Sequence, residues 1–140
     1  MSPAMINIAV LHADSAQCEA LCDFIADAGF RVVGGRATGP DCLDLMRTAT
    51  THVLVLDFES FADEAGTLLS AVRAASPGTG ILVLLRGESP AHLDELTARG
   101  AGGFIDGQRA GMDLPAALRT IAMGRRYLPA AAAPVSAPLE

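Results

Sequence analysis

The sequence predicts an α/β domain built on a parallel sheet, and three observations carry that prediction. Five short apolar runs recur along the chain, and they alternate with segments of helical periodicity. The runs are continuously apolar rather than alternating in polarity, as expected of strands buried on both faces. Strict alternation of strand and helix calls for crossover connections of right hand, which produce parallel pairing. At 140 residues and 51% hydrophobic, the chain suits one compact domain with a single core.

The elements follow in order. The first run, Ile8 to His12, precedes a segment in which Leu21, Phe24, Ile25 and Ala28 fall at i, i+3, i+4 and i+7, with Gly29 as a stop. The second, Phe30 to Gly34, leads to Thr38, Pro40 and Asp41, a capping residue, a proline and an acid ahead of Leu43 and Met46. The third, His52 to Asp57, is followed by a helix from Asp63 to Ala74 through Leu68, Leu69 and Val72, closed by the turn SPGTG. The fourth, Gly80 to Leu85, precedes a helix that opens at Ser89-Pro90 and carries Leu93 and Leu96 before Gly100. The fifth, Gly102 to Asp106, precedes Leu114, Ala117, Leu118 and Ile121 at helical spacing, then Gly124. From Leu128 the Ala- and Pro-rich LPAAAAPVSAPLE predicts a linker or unstructured end, and its terminal Leu139-Glu140 reads as a pair left by cloning. The expected organisation is one domain over residues 1–128 and a tail over 129–140.

Composition narrows the function. A net charge of -6 argues against this segment gripping nucleic acid itself, because phosphate binding rests on clustered positive charge. All ten basic residues are arginine. No apolar run approaches the roughly 20 residues of a spanning helix, and the start lacks a basic region followed by a long apolar core, so no membrane association is expected. Cys18, Cys22 and Cys42 form neither an even disulfide framework nor a CxxC pair, which suits reduced thiols and a cytoplasmic location. Cys18 and Cys22 share a helix face, but packing is the expected role.

Sites in open parallel sheets form outside the carboxyl ends of the strands. The positions of interest are therefore 12–15, 57–59, 85–87 and 106–109. Asp57 stands out, because four aliphatics, Val53 to Leu56, deliver a carboxylate at their end. It is either a solvated loop acid or a reactive group held at a sheet edge.

The order and spacing of LCDFIADAGFRVVG (21–34), HVLVLDF (52–58), ILVLL (81–85), TARGAGGFI (97–105) and LRTIAMGRRYLP (118–129) resemble the receiver domains of bacterial two-component response regulators. The last stretch looks most like receivers that continue into a helix-turn-helix domain of the LuxR/NarL type. The resemblance implies a flavodoxin-like (βα)5 fold, a doubly wound parallel sheet of strand order 2-1-3-4-5. It places Asp57 where the family's phosphoacceptor stands. In that family two acids after the first strand hold Mg²⁺, a Thr or Ser after the fourth strand bonds the phosphoryl oxygen, and a Lys after the fifth pairs with it.

Most of these helpers are absent here. The acidic pair falls on His12 and Ala13, or, with a slip of one residue, on Ala13 and Asp14. Leu85 occupies the hydroxyl position and cannot donate a hydrogen bond. Gly107 occupies the lysine position, and the chain contains no lysine at all. Ser60-Phe61 replaces the family's Met-Pro, and Phe104 stands at its aromatic switch position. A phosphoryl group brings about -1.5 to -2 charge at pH 7, and the groups that would offset it are gone. The expectation is a phosphorylation-independent receiver with no cofactor. Mg²⁺ would bind poorly, with Asp14, Asp57 and the Glu59 backbone as its only donors.

Each site residue also has a plainer reading. His12 either pairs with Asp57 or is an ordinary hydrogen-bonded loop histidine. Glu59 and Glu88 either substitute as ligands or are solvated acids, and Arg86 or Arg109 either reaches an anion in the pocket or lies on the surface. The partners expected are a second copy of the chain, DNA only through a downstream domain, and no histidine kinase. A second expectation is a small-molecule sensor, in which Leu85, Gly107 and Phe61 make the former phosphate pocket hospitable to an organic ligand. A third is a conventional phosphorelay receiver phosphorylated on Asp57. An enzyme is not expected: HADSAQ after the first strand is no Gly-rich phosphate loop, the DxD of aspartyl phosphatases is unmet at Asp57-Phe58-Glu59, and no nucleophile and base pair is evident.

Overall fold

The computed structural model describes residues 5–86 and 90–127, without the side chains of Pro90, Ala91, His92 and Arg109. The predicted tail over 129–140, the Ser89 cap and Glu88 lie outside the described residues. Strands β1 (Asn7–Leu11), β2 (Arg31–Arg36), β3 (Val53–Asp57), β4 (Gly80–Leu85) and β5 (Gly103–Asp106) alternate with helices α1 (Ser15–Asp27), α2 (Gly39–Thr48), α3 (Ala65–Ala75), α4 (Pro90–Ala98) and α5 (Ala110–Ala122). All pairings are parallel, in the order β2-β1-β3-β4-β5. This is the flavodoxin-like arrangement that the sequence predicts.

Helix boundaries follow local chemistry. The Asp14 side chain accepts a hydrogen bond from Gln17 N–H, so α1 begins at Ser15, well ahead of its apolar stripe. Thr38 caps α2 in the same way, with Pro40 in the first turn. Gly29, at φ +101°, ends α1 in the left-handed conformation, which lets Phe30 N–H reach back to Ile25 O.

Alternate residues of the continuous strand runs face opposite layers. Leu11, Leu54, Leu56, Val83, Leu85 and Phe104 pack against α2, α3 and α4. Val10, Val55, Leu82, Leu84 and Ile105 pack against α1 and α5. Each fully buried Leu or Ile in these layers contributes about 1.5–3 kcal/mol of transfer free energy. The expectation of burial on both faces fails for β2, whose residues are half-buried or exposed. It is an edge strand, and its register against β1 shifts between Ile8 and Ala9. The opposite edge is covered: after α5 the chain returns alongside β5, where Phe104 N–H donates to Tyr127 O (2.8 Å) and Tyr127 N–H to Gly102 O (3.1 Å). Gly103 permits this approach, since a Cβ there would lie 2.5 Å from Tyr127 O.

Candidate functional site

The carboxyl ends of β1, β3, β4 and β5 converge on Asp57. It is the last residue of β3, and its side chain is 8% exposed. A 3-10 turn over Glu59–Phe61 follows at once and brings Ser60 back over the carboxylate. Ser60 N–H and Ser60 Oγ–H both donate to Asp57 Oδ2, at 3.1 and 2.6 Å. A side-chain oxygen accepting from the backbone three residues on is the geometry that favours Asp ahead of a turn.

His12 closes the same oxygen from the other side. Its Nε2 lies 3.5 Å from Asp57 Oδ2, and the residue is 7% exposed. Its Nδ1 accepts a hydrogen bond from Asp14 N–H (3.1 Å), so in the neutral ring the proton sits on Nε2 and faces the carboxylate. Ser60 Oγ in turn accepts from Ala13 N–H (3.2 Å). The loop after β1 and the turn after β3 are thus stitched together through Asp57. Ser60, considered from sequence only as a replacement for the family's methionine, is the residue that does the stitching. Its signal was a hydroxyl three positions after an acid.

The predicted acidic pocket is dispersed. His12 reaches Asp57, exposed Ala13 offers only its backbone, and the exposed Asp14 carboxylate is engaged in capping α1. His12 fits both of its sequence readings, as a loop histidine hydrogen-bonded through Nδ1 and as a neighbour of Asp57 through Nε2, and its burial excludes only a solvated placement. Glu59 Oε1 pairs with Arg86 Nη1 at 3.1 Å, both side chains about half exposed, across the mouth of the site. The Arg109 side chain lies outside the described residues.

Leu85 and Phe61 do not line the pocket as expected. Both are buried, with Phe104, in the core layer under α3 and α4. An aliphatic or aromatic side chain gains more from that layer than from the wet sheet edge. The cleft beside Asp57 opens instead on the other face, between α1 and α5. It measures about 310 Å³ and is lined by His12, Asp57, Leu21, Phe24, Leu84 and Gly107, with Arg86 beside them. Gly107 is not required by sterics, because a Cβ there would meet only Leu85 O at an ordinary 3.4 Å.

A divalent ion does not fit this donor set. Ser60 N–H and Oγ–H donate to one Asp57 oxygen, His12 Nε2 stands 3.5 Å from the same oxygen, and Asp14 is committed elsewhere. Among the described residues no three His, Cys, Asp or Glu side chains come together as a metal-binding group. Mg²⁺ favours a near-octahedral oxygen shell anchored on carboxylates, which a single enclosed aspartate does not supply. Cys18 and Cys22 meet over Gly35 between α1 and β2, while Cys42 packs in the opposite core layer. No helix among the described residues is long and apolar enough to cross a membrane.

No family model matches the chain, and no curated protein matches it in sequence. Solved structures do match in fold. The non-phosphorylated receiver domain of the stress response regulator RcsB from Escherichia coli superposes with a TM-score of 0.78 at 21% identity, covering 90% of this chain and 99% of that one. A LuxR-family two-component response regulator from Aurantimonas sp. SI85-9A1 gives 0.84 at 20% identity, covering 93% and 94%. A structure of two RcsB dimers bound to two parallel DNAs gives 0.78 at 21% identity, covering 92% of this chain and 66% of that one. The five-stranded order, the acid ending β3 and these superpositions agree that the chain has the fold of response regulator receiver domains.

Proposed function

We propose that this domain is a signal-receiving regulatory module that works without phosphorylation of Asp57, controlling the dimerisation and activity of an attached helix-turn-helix domain in the cytoplasm. The observation that carries the reading is the closure of Asp57 Oδ2 by Ser60 N–H, Ser60 Oγ–H and His12 Nε2. The charge-assisted bond of 2.6 Å and its neighbours on Oδ2 draw charge from the carboxylate and weaken it as a nucleophile towards a phosphoryl donor. No lysine exists to pair with the product, and Leu85 is buried away from where a hydroxyl would be needed. Dimeric RcsB on DNA supports, by analogy of fold, an output that acts on DNA through a further domain.

The test is incubation with acetyl phosphate or fluoroberyllate in the presence of Mg²⁺, read by intact mass and by spectral change. No mass gain is expected. A stoichiometric gain abolished in Asp57→Asn would establish the conventional phosphorelay reading in its place.

A second reading has its own support. The cleft between α1 and α5 joins an apolar wall, Leu21, Phe24 and Leu84, to the polar floor formed by His12 and Asp57. Small-molecule sites combine such walls with few polar groups. A ligand-induced rise in melting temperature that Phe24→Ala abolishes would favour this sensor reading.

A further inference from the structure

At the pole of the sheet opposite Asp57, a cleft of about 500 Å³ is lined by Arg73, Arg125 and Arg126 together with Thr97 and Gly100, and among the described residues no carboxylate lines it. This concentration of positive charge stands on a chain whose net charge is -6. Three arginines elsewhere are paired with acids: Arg47 with Asp44, Arg86 with Glu59 and Arg99 with Glu95. Among the described residues, Arg73, Arg125 and Arg126 have no acidic partner.

The three side chains are placed by the fold. Arg73 lies in the last turn of α3, and its stem packs on Gly100, where a Cβ would collide with Arg73 Cδ. Gly100 itself has φ +121°, so a side chain there is disfavoured twice. Arg125 and Arg126 occupy a short segment fixed at both ends. Gly124 turns the chain at φ +83°, Arg125 N–H donates to Thr120 O (3.1 Å), and Tyr127 is bonded on both sides to β5. The carbonyl ends of α3 and α5 point to this pole and attract cations. None of the three guanidinium groups, however, makes a side-chain hydrogen bond to a carbonyl among the described residues, so their donors remain available.

Guanidinium forks match phosphate oxygens in bidentate pairs, and several converging from different elements suit adjacent phosphates. The cleft volume lies in the range of small-molecule sites, and its concavity suits a compact anion better than an extended duplex. We propose that this cleft binds a compact phosphate polyanion, either inorganic pyrophosphate or the polyphosphate end of a nucleotide, through Arg73, Arg125 and Arg126. The site is independent of the Asp57 chemistry and of the regulatory reading.

The experiment is calorimetric titration of the full chain with sodium pyrophosphate, with ADP and ATP, and with a random-sequence DNA duplex, repeated on R125A/R126A and on R47A. Saturable one-to-one binding of pyrophosphate or of the nucleotides is expected. R125A/R126A should weaken it about tenfold or more, since a single charge-assisted bond is worth that much. R47A, which removes a charge that does not line the cleft, should leave it unchanged, and circular dichroism checks that both variants fold. Tighter binding of ATP than of pyrophosphate assigns a nucleotide as the source, and equal or weaker binding assigns free pyrophosphate. The proposal is overturned by absence of saturable binding to any of the small anions, by equal loss in R47A, by undiminished binding in R125A/R126A, or by binding of the duplex alone.

Discussion

If Asp57 is held by Ser60, the two residues must be energetically coupled, and a double-mutant cycle measures that coupling. The perturbations are Ser60→Ala, Asp57→Ala and the pair together. Ser60→Ala removes the 2.6 Å O–H to carboxylate bond but leaves the Ser60 backbone N–H on Oδ2. Hydrogen bonds to charged groups contribute about 1.5–3 kcal/mol, and half-buried Ser60 sits at the low end of that range, near 1.5 kcal/mol. Ala13 N–H, the other partner of Ser60 Oγ, is on an exposed residue, so water replaces the lost acceptor at little cost. Asp57→Ala leaves Ser60 N–H and Ser60 Oγ–H without their acceptor and His12 Nε2 without its carboxylate neighbour, at a cost of about 2–3 kcal/mol. Once the carboxylate is gone, Ser60→Ala has little left to remove, so the double variant should fall short of the summed losses by about 1 kcal/mol. Urea denaturation followed by circular dichroism reads each value, and the thermal counterpart is about 3–5 °C per kcal/mol for a domain of this size. Additivity within about 0.3 kcal/mol would show that Asp57 is a solvated acid and would refute the closed-carboxylate reasoning.

Three further outcomes are expected. Leu85→Thr should destabilise by about 2–4 kcal/mol in the same urea assay, because it removes buried aliphatic volume and places a hydroxyl in the layer under α3 and α4; a loss below about 0.5 kcal/mol would place residue 85 at the wet edge instead. Burial pushes the Cys22 thiol from its ordinary 9.0 up to about 12 and Cys42 up to about 11. Both therefore stay protonated at pH 8, and iodoacetamide labelling of the folded chain should be much slower than of the urea-unfolded chain. The sign of the linkage follows: these raised values lend stability that is fully present below pH 9 and is lost as pH rises from about 9 towards 11–12. Urea midpoints that stay level between pH 9 and 11 would contradict it.

Much of the architecture was legible in the chain. Five continuous apolar runs, capped helical segments and glycine stops specify strands and helices by local chemistry: Asp14 and Thr38 cap, Gly29 terminates, and Val53 to Leu56 bury on both faces. The position of Asp57 at the end of the third strand was legible for the same reason. The half-exposure of β2 was not, because an edge strand and a central one can share the same apolar run and differ only in what covers them.

The site's internal state was decided by tertiary structure. In GILVLL every position is apolar, so the sequence carries no phase that tells Leu84 from Leu85. Pairing with β3 and β5 turns Leu85 into the core and Leu84 towards the cleft. Two contacts around Asp57 likewise join segments far apart in the chain: Ala13 N–H reaches Ser60 Oγ across 47 residues, and His12 Nε2 meets Asp57 from the loop after β1. Local propensity cannot encode such a contact, because it exists only once β1 and β3 lie side by side. The sequence by itself determined that a carboxylate would stand at the sheet edge without a lysine after the fifth strand or a hydroxyl after the fourth. The turn after β3 brings Ser60 onto that carboxylate locally, and only the packed sheet decided that His12 would meet it.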